Sequence, residues 1–284
     1  MPVTPRKLAL SKNRCPGHAD VANCISNPPR LRAGGMRMDP FPDIESMTTQ
    51  IGTLARIRKT VGGMIEYLRH RDRNQSWGGP FNNQVQRQRI FLDLIEGIPF
   101  SAIIETGTFR GTTTAYLQES SGLPVFTVEV QPRKYGYSRA RFLRNAMVHV
   151  SRGDSRAFLR DLAGRGLDMQ APTFFYLDAH WTEDLPLRQE IDIVFGDWPR
   201  AVVMIDDFRV PGDDGYGYDD YGEGKVLESA YLDTLGRDDL KRFFPRASSA
   251  EETGKRRGCI VLVKDNGLAE RIAEMPALRR FAGS

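Results

Sequence analysis

The chain has 284 residues, 40% of them hydrophobic, and a formal net charge of +4. That length holds one well-buried α/β domain with extensions, and no apolar run reaches the roughly 18 residues that would span a bilayer. The N-terminus lacks the apolar core of a secretory signal, and Cys15, Cys24 and Cys259 lack metal-ligand spacing, so a cytoplasmic protein with reduced thiols and no membrane partner is expected.

The charge is unevenly placed. Residues 1–40 hold 7 Lys/Arg against 2 Asp/Glu, which leaves 33 against 34 in the remainder. The remainder is therefore close to neutral and gives no argument for a nucleic-acid partner. Residues 1–45 carry Pro, Gly, Asn and Arg without periodicity and read as a disordered tail. Residues 46–79 read as a helical extension. Within it Ile51, Leu54, Ile57, Val61, Met64, Ile65 and Leu68 recur at three- and four-residue steps, the pattern of an amphipathic helix. Such a stripe reads as a helix packed on the domain, with a homodimer contact as the alternative. Residues 80–284 form the main domain. Its first helix is expected to start from a cap at Asn82 or Asn83 and to stop at Gly97 and Pro99.

The stretch from Ser101 to Leu117, SAIIETGTFRGTTTAYL, organises the rest. Ala102-Ile103-Ile104 has the content of a buried strand, Glu105 ends it, Gly107 and Gly111 flank a tight turn, and Thr112 opens a helix. A strand, a glycine turn and a helix N-terminus make a nucleotide site in a parallel sheet. Phe109 stands where a dinucleotide fingerprint needs its second glycine. Thr112 stands where a phosphate-cradling loop needs glycine, and no lysine follows.

Downstream, strand and helix patterns alternate. Strands are expected over 125–130, 148–151, 173–177 and 201–205, with helices over 133–145, 155–162 and 185–198. A helix near 225–235 and two last strands near 240–245 and 259–263 close the chain, the polar run 246–257 reading as a hairpin loop. This predicts a mostly parallel, Rossmann-like seven-stranded α/β sheet with helices on both faces. Acids fall at the strand ends: Glu129, the Gly153-Asp154-Ser155 turn, Asp178-Ala179-His180-Trp181 and Asp206-Asp207. Like charges gathered at adjacent strand ends need a cation or a proton to offset them, and all-oxygen donors suit Mg²⁺. The glycine-rich run 211–225, with Tyr216, Tyr218 and Tyr221, reads as a substrate lid, with an ordinary solvated loop as the alternative.

Glu105-x-Gly107-x-x-x-Gly111, with Glu129 about 20 residues on, resembles the first motif of class I S-adenosylmethionine-dependent methyltransferases. Its form is most similar to the catechol and macrocin O-methyltransferase branches, over roughly residues 80–265. The resemblance implies an antiparallel last strand and S-adenosyl-L-methionine as cofactor. It implies that Glu105, Gly107, Thr108, Gly111, Thr112, Glu129, Asp154, Ser155 and Asp178 form the cofactor site, with Glu129 on the ribose diol and Gly153-Asp154-Ser155 near the adenine. By the same resemblance Asp178, Asp206 and Asp207 ligate a divalent metal, Mg²⁺. Asp178 and His180 then act in catalysis, His180 as the base, since Thr182 stands where the catechol branch has lysine. The implied activity is metal-assisted O-methylation of a small-molecule or glycoside hydroxyl. Proteins that are cephalosporin-hydroxylase-like share these motifs, and a cofactor-binding protein without turnover is the remaining alternative.

Overall fold

The apolar runs become the strands β1 (Ala102–Thr106), β2 (Val125–Glu129), β3 (Val148–Arg152), β4 (Thr173–Leu177), β5 (Ala201–Asp206), β6 (Lys241–Pro245) and β7 (Cys259–Val263). The computed structural model describes residues 44–180 and 184–281. The expectations for residues 1–43, including the tail, Cys15 and Cys24, and for Trp181 and Thr182, lie outside them. An eighth strand with no counterpart in the sequence pattern, β8 (Leu278–Arg280), closes the sheet order β3-β2-β1-β4-β5-β7-β6-β8. The first five strands are parallel, and β7 pairs antiparallel with both β5 and β6. β8 is only three residues long and adds to the edge through Phe243 to Pro245, too short to leave a periodic signal.

Alternate residues of the central strands enter two cores. Ile103, Phe174, Tyr176, Val202, Met204 and Val261 pack under α2 (Val85–Gly97), α3 (Thr112–Ser121) and α8 (Asn266–Ala273). Ile104, Phe175, Leu177, Val203, Ile205 and Leu262 face α5 (Ser155–Leu162), α6 (Leu187–Asp197) and α7 (Ser229–Asp233). A sheet buried on both faces is why these strands read as unbroken apolar runs rather than as alternation.

Two local expectations are corrected. α2 is preceded by Gln84, which makes no side-chain cap; Asn82 and Asn83 sit in a left-handed turn before it. The 211–225 run is no free lid. Its backbone bonds Asp219 N–H to the Asp207 carbonyl at 2.9 Å and Gly217 N–H to the Arg256 carbonyl at 2.8 Å. Tyr216 is buried, with its hydroxyl donating to the Ala247 carbonyl. Gly212, Gly222 and Gly224 have positive φ and supply turns of this anchored loop.

The third correction concerns α1 (Ile44–Arg69), which packs on α4 (Pro132–Arg141). The contact is not the apolar stripe. A Cβ at Gly63 would lie 1.9 Å from the Arg133 carbonyl oxygen, and one at Gly136 would lie 2.0 Å from that of Thr60. The two helices therefore touch backbone to backbone through glycine. Glu66, on the same contact, accepts from Arg73, Arg110 and Arg133. Burial raises its carboxyl, but those hydrogen bonds outweigh it and bring the pKa down to about 2. Leu54, Ile57, Val61, Ile65 and Leu68 point away from α4 and are exposed.

Candidate active site

The carboxyl ends of β1, β2, β4 and β5 open into a cavity of about 870 Å³. Ligands in open α/β sheets bind at this edge. Backbone strain is concentrated around it. Among the described residues, seven non-glycine residues have positive φ, and five of them line the cavity: Trp77, Phe81, Asn82, Phe109 and Asp207. Such conformations persist only where surrounding contacts impose them, and they mark functional sites. Phe81 shows how: it is buried, its ring 5.1 Å from that of Tyr176.

The glycine turn divides its labour. Gly107 has φ 93°, and a Cβ there would lie 2.4 Å from the Asp178 carbonyl oxygen, so only glycine lets the ends of β1 and β4 meet beside the cavity. Gly111 precedes α3 with φ 72°, and its missing side chain makes room for the Phe142 ring, 2.4 Å from a Cβ there. Thr108 and Thr112 line the cavity, whereas Glu105 and Gly111 do not. Glu105 lies beneath the turn. It accepts from Thr114 Oγ1 at 2.5 Å and Thr127 Oγ1 at 2.7 Å, and Thr127 meets the Thr108 hydroxyl at 2.6 Å. Glu105 thus shapes the turn from below.

Burial pushes the Glu105 carboxyl up to about 7, against hydrogen bonds from Thr114 and Thr127 that lower it. Burial does the same to Glu190 of α6, also to about 7. A raised folded-state pKa means that the native protein holds a proton the unfolded chain has released. Stability is then full below about pH 4.5 and falls as pH rises toward 7. We expect chemical denaturation to show a loss of a few kcal/mol between about pH 5 and pH 8, since a proton retained by the fold alone costs about 1.36 kcal/mol for each pH step. Glu105→Gln should make that slope shallower. A pH-independent stability over that range would show that these acids ionise freely in the fold.

Glu129 ends β2 and is buried against the cavity wall. Its Oε2 accepts from Phe109 N–H at 2.8 Å and its Oε1 from Gln131 N–H at 2.7 Å. Each oxygen keeps a second lone pair. Asp154 caps α5: its Oδ1 accepts from Arg156 N–H at 2.9 Å and Ala157 N–H at 3.3 Å, and Arg156 also pairs with it through the side chain. Both Asp154 and Ser155 line the cavity, so the cap and the wall are the same residues.

The acids at β4 and β5 do come together. Ligand atoms of Asp178, Asp206 and Asp207 lie within 4.8 Å of one another. Sequence reasoning missed what holds them. Arg87 of α2 is fully buried, pairs with Asp206 and donates to the carbonyls of Arg257 and Gly258. Tyr176 OH donates to Asp206 Oδ2 at 2.6 Å. Arg257 Nε donates to Asp207 Oδ1 at 2.6 Å, and its Nη2 pairs with Asp219 from the anchored loop. One signal for Arg87 existed: it falls at the i, i+3, i+4, i+7 spacing with Ile90, Phe91 and Leu94, on the apolar face of its helix. Arg257 had none.

Asp178 differs from its neighbours. No hydrogen bond or ion pair among the described residues reaches its carboxylate. Burial, then the negative charges of Asp207 and Glu105, push its pKa well above the usual carboxylate range. His180 is buried on the cavity wall, and neither ring nitrogen has a hydrogen-bond partner among the described residues. Burial depresses its pKa to about 4, although Asp207 and Asp219 pull the other way. The imidazole is therefore neutral at physiological pH, with a lone pair available.

No family model matches the chain, and no curated protein matches it. Solved structures to which it is similar include an O-methyltransferase from Bacillus cereus in complex with SAH, at 18% identity and TM-score 0.44, covering 71% of this chain and 90% of that one. Another is TomG, an O-methyltransferase from Streptomyces achromogenes involved in tomaymycin synthesis, in complex with SAM, at 17% identity and TM-score 0.46, covering 62% and 79%. A third is cofactor-bound Rv0187 from MTB, at 22% identity and TM-score 0.45, covering 64% and 81%.

Proposed function

We propose that this chain is an S-adenosyl-L-methionine-dependent O-methyltransferase that acts on a hydroxyl of a small molecule or glycoside. The observation that carries the proposal is the meeting, in one cavity, of the Gly107 turn, the buried Glu129 and the Asp178–His180 pair. A methyl donor of this class carries a ribose diol and a positive sulfonium. Glu129 offers the diol two oriented oxygens. The surrounding carboxylates suit the positive charge.

The acid cluster also fits a divalent cation. Its donors are hard oxygens, Asp178 has no internal partner, and Asp207 keeps one oxygen clear of Arg257. Asp206, Asp207 and Asp219 pair with two guanidiniums, Arg87 and Arg257, so once Asp178 gives up its proton two negative charges remain for an ion such as Mg²⁺. Asp178, Asp206 and Asp207 would hold it. When bound, the methyl donor supplies an electrophilic carbon, and the metal lowers the pKa of the acceptor hydroxyl. The chain's own residues do the rest: Glu129 and the turn orient the donor, and His180 takes the hydroxyl proton.

Incubation with S-adenosyl-L-methionine and hydroxylated acceptors should release S-adenosylhomocysteine. Glu129→Ala should weaken donor binding by roughly 1–3 kcal/mol, the scale of lost hydrogen bonds to a charged group. Unchanged affinity by calorimetry in a folded variant would remove Glu129 from the site. The pairing of Asp206 and Asp207 with the chain's own arginines favours a second reading, cofactor binding without turnover. Release of S-adenosylhomocysteine separates the two, and chelation tests the metal. A metal-assisted enzyme should lose roughly tenfold or more of its rate in EDTA while staying folded, and Asp207→Asn should be partly rescued by added Mg²⁺. Full activity after chelation would exclude the metal.

A further inference from the structure

We propose that the exposed stripe of α1 pairs this chain with a second copy of itself. Residues 52–59 are exposed at every position. Leu54 and Leu68 are 66% and 65% exposed, and Ile57, Val61 and Ile65 roughly half as open as a free side chain. A helical segment this short is not stable on propensity alone; it needs an apolar partner. The domain does not supply one, because α1 meets α4 through Gly63, on the opposite side of the helix.

The spacing of the stripe indicates the partner. Steps of 3, 4, 4 and 3 from Leu54 to Leu68 confine the five side chains to about 80° of the helix circumference. A stripe this narrow suits contact with one further helix, although the two successive four-residue steps from Ile57 to Ile65 depart from a strict heptad seam. A two-fold contact presents the same seam twice. The five side chains expose about 500 Å² per copy, so a pair buries about 1,000 Å², the lower bound of a specific interface. The border charges argue against an anionic lipid surface. Arg58 and Arg69 border one side of the stripe only, while Met64 and Thr60 border the other. A surface-lying helix carries basic residues along both borders.

The test is sedimentation of the full chain at tens of micromolar. The wild type should sediment at twice 32.0 kDa. Ile57→Lys with Val61→Lys should sediment at the single mass, with dissociation strengthened by roughly a hundredfold or more. Leu54→Gln with Ile65→Gln, a milder pair, should shift the equilibrium in the same direction. An unchanged thermal midpoint at low concentration shows that these exposed positions leave the fold intact. A monomeric wild type overturns the proposal, as does a dimer that both variants preserve. Association that appears only after deletion of residues 1–43 would assign the stripe to that segment instead. Binding of a monomeric wild type to vesicles containing phosphatidylserine, lost in the lysine variant, would assign it to a membrane.

Discussion

Arg87→Met should cost about 3–5 kcal/mol of stability, the penalty for leaving one partner of a buried ion pair without the other. Arg87 and Asp206 are each about 1% exposed. With the guanidinium gone, Asp206 keeps Tyr176 OH and the Asp207 N–H but no counter-charge, and the carbonyls of Arg257 and Gly258 each lose one of two donors, keeping Gln84 Nε2 and the Phe208 N–H. The damage should therefore reach the Arg257 clasp on Asp207 and Asp219. The double variant Arg87→Met with Asp206→Leu should recover part of the loss, because replacing both partners removes the orphaned charge. Denaturant titration of the three proteins reads the coupling directly. A loss below about 1 kcal/mol in the single variant would show that Asp206 is satisfied without Arg87.

His180→Ala should lower turnover by about 10²–10⁴-fold, the span of a general base, while donor affinity and thermal stability change little. The ring makes no hydrogen bond among the described residues, so removing it orphans no partner there. Since burial holds the imidazole neutral down to about pH 4, the wild type should show no rate change from this group between pH 6 and 8. The variant should gain rate as pH rises, because hydroxide replaces the missing base. Normal turnover in His180→Ala, measured where the chemical step limits the rate, would remove His180 from the mechanism and leave proton removal to the acids around it.

These two predictions rest on different kinds of information. His180, Glu129 and the three aspartates could be read from the chain because each ends an apolar run, and a parallel sheet brings the ends of its strands to one edge. The glycines at 107 and 111 were equally visible, but their reasons were not. One clears a path for the Asp178 carbonyl and the other makes room for Phe142, and neither neighbour is close in sequence. Glu105 looked like a ligand residue and proved to lie under the turn, because a strand-end residue faces either the cavity or the layer beneath it. Only the register decides which.

By itself, then, the sequence determined the α/β sheet, its first five strands and the acids along their ends, since these follow from local periodicity and from the rules of parallel connection. Tertiary structure alone decided what compensates those acids. Arg87 is about 120 residues from Asp206, and Arg257 is 50 from Asp207 and 38 from Asp219. No local pattern encodes a pairing at such separations. It also decided which face of α1 is buried. Hydrophobic periodicity favoured the leucine and isoleucine stripe, yet the helix docks through Gly63, because the close backbone approach at Gly136 leaves no room for a side chain between them.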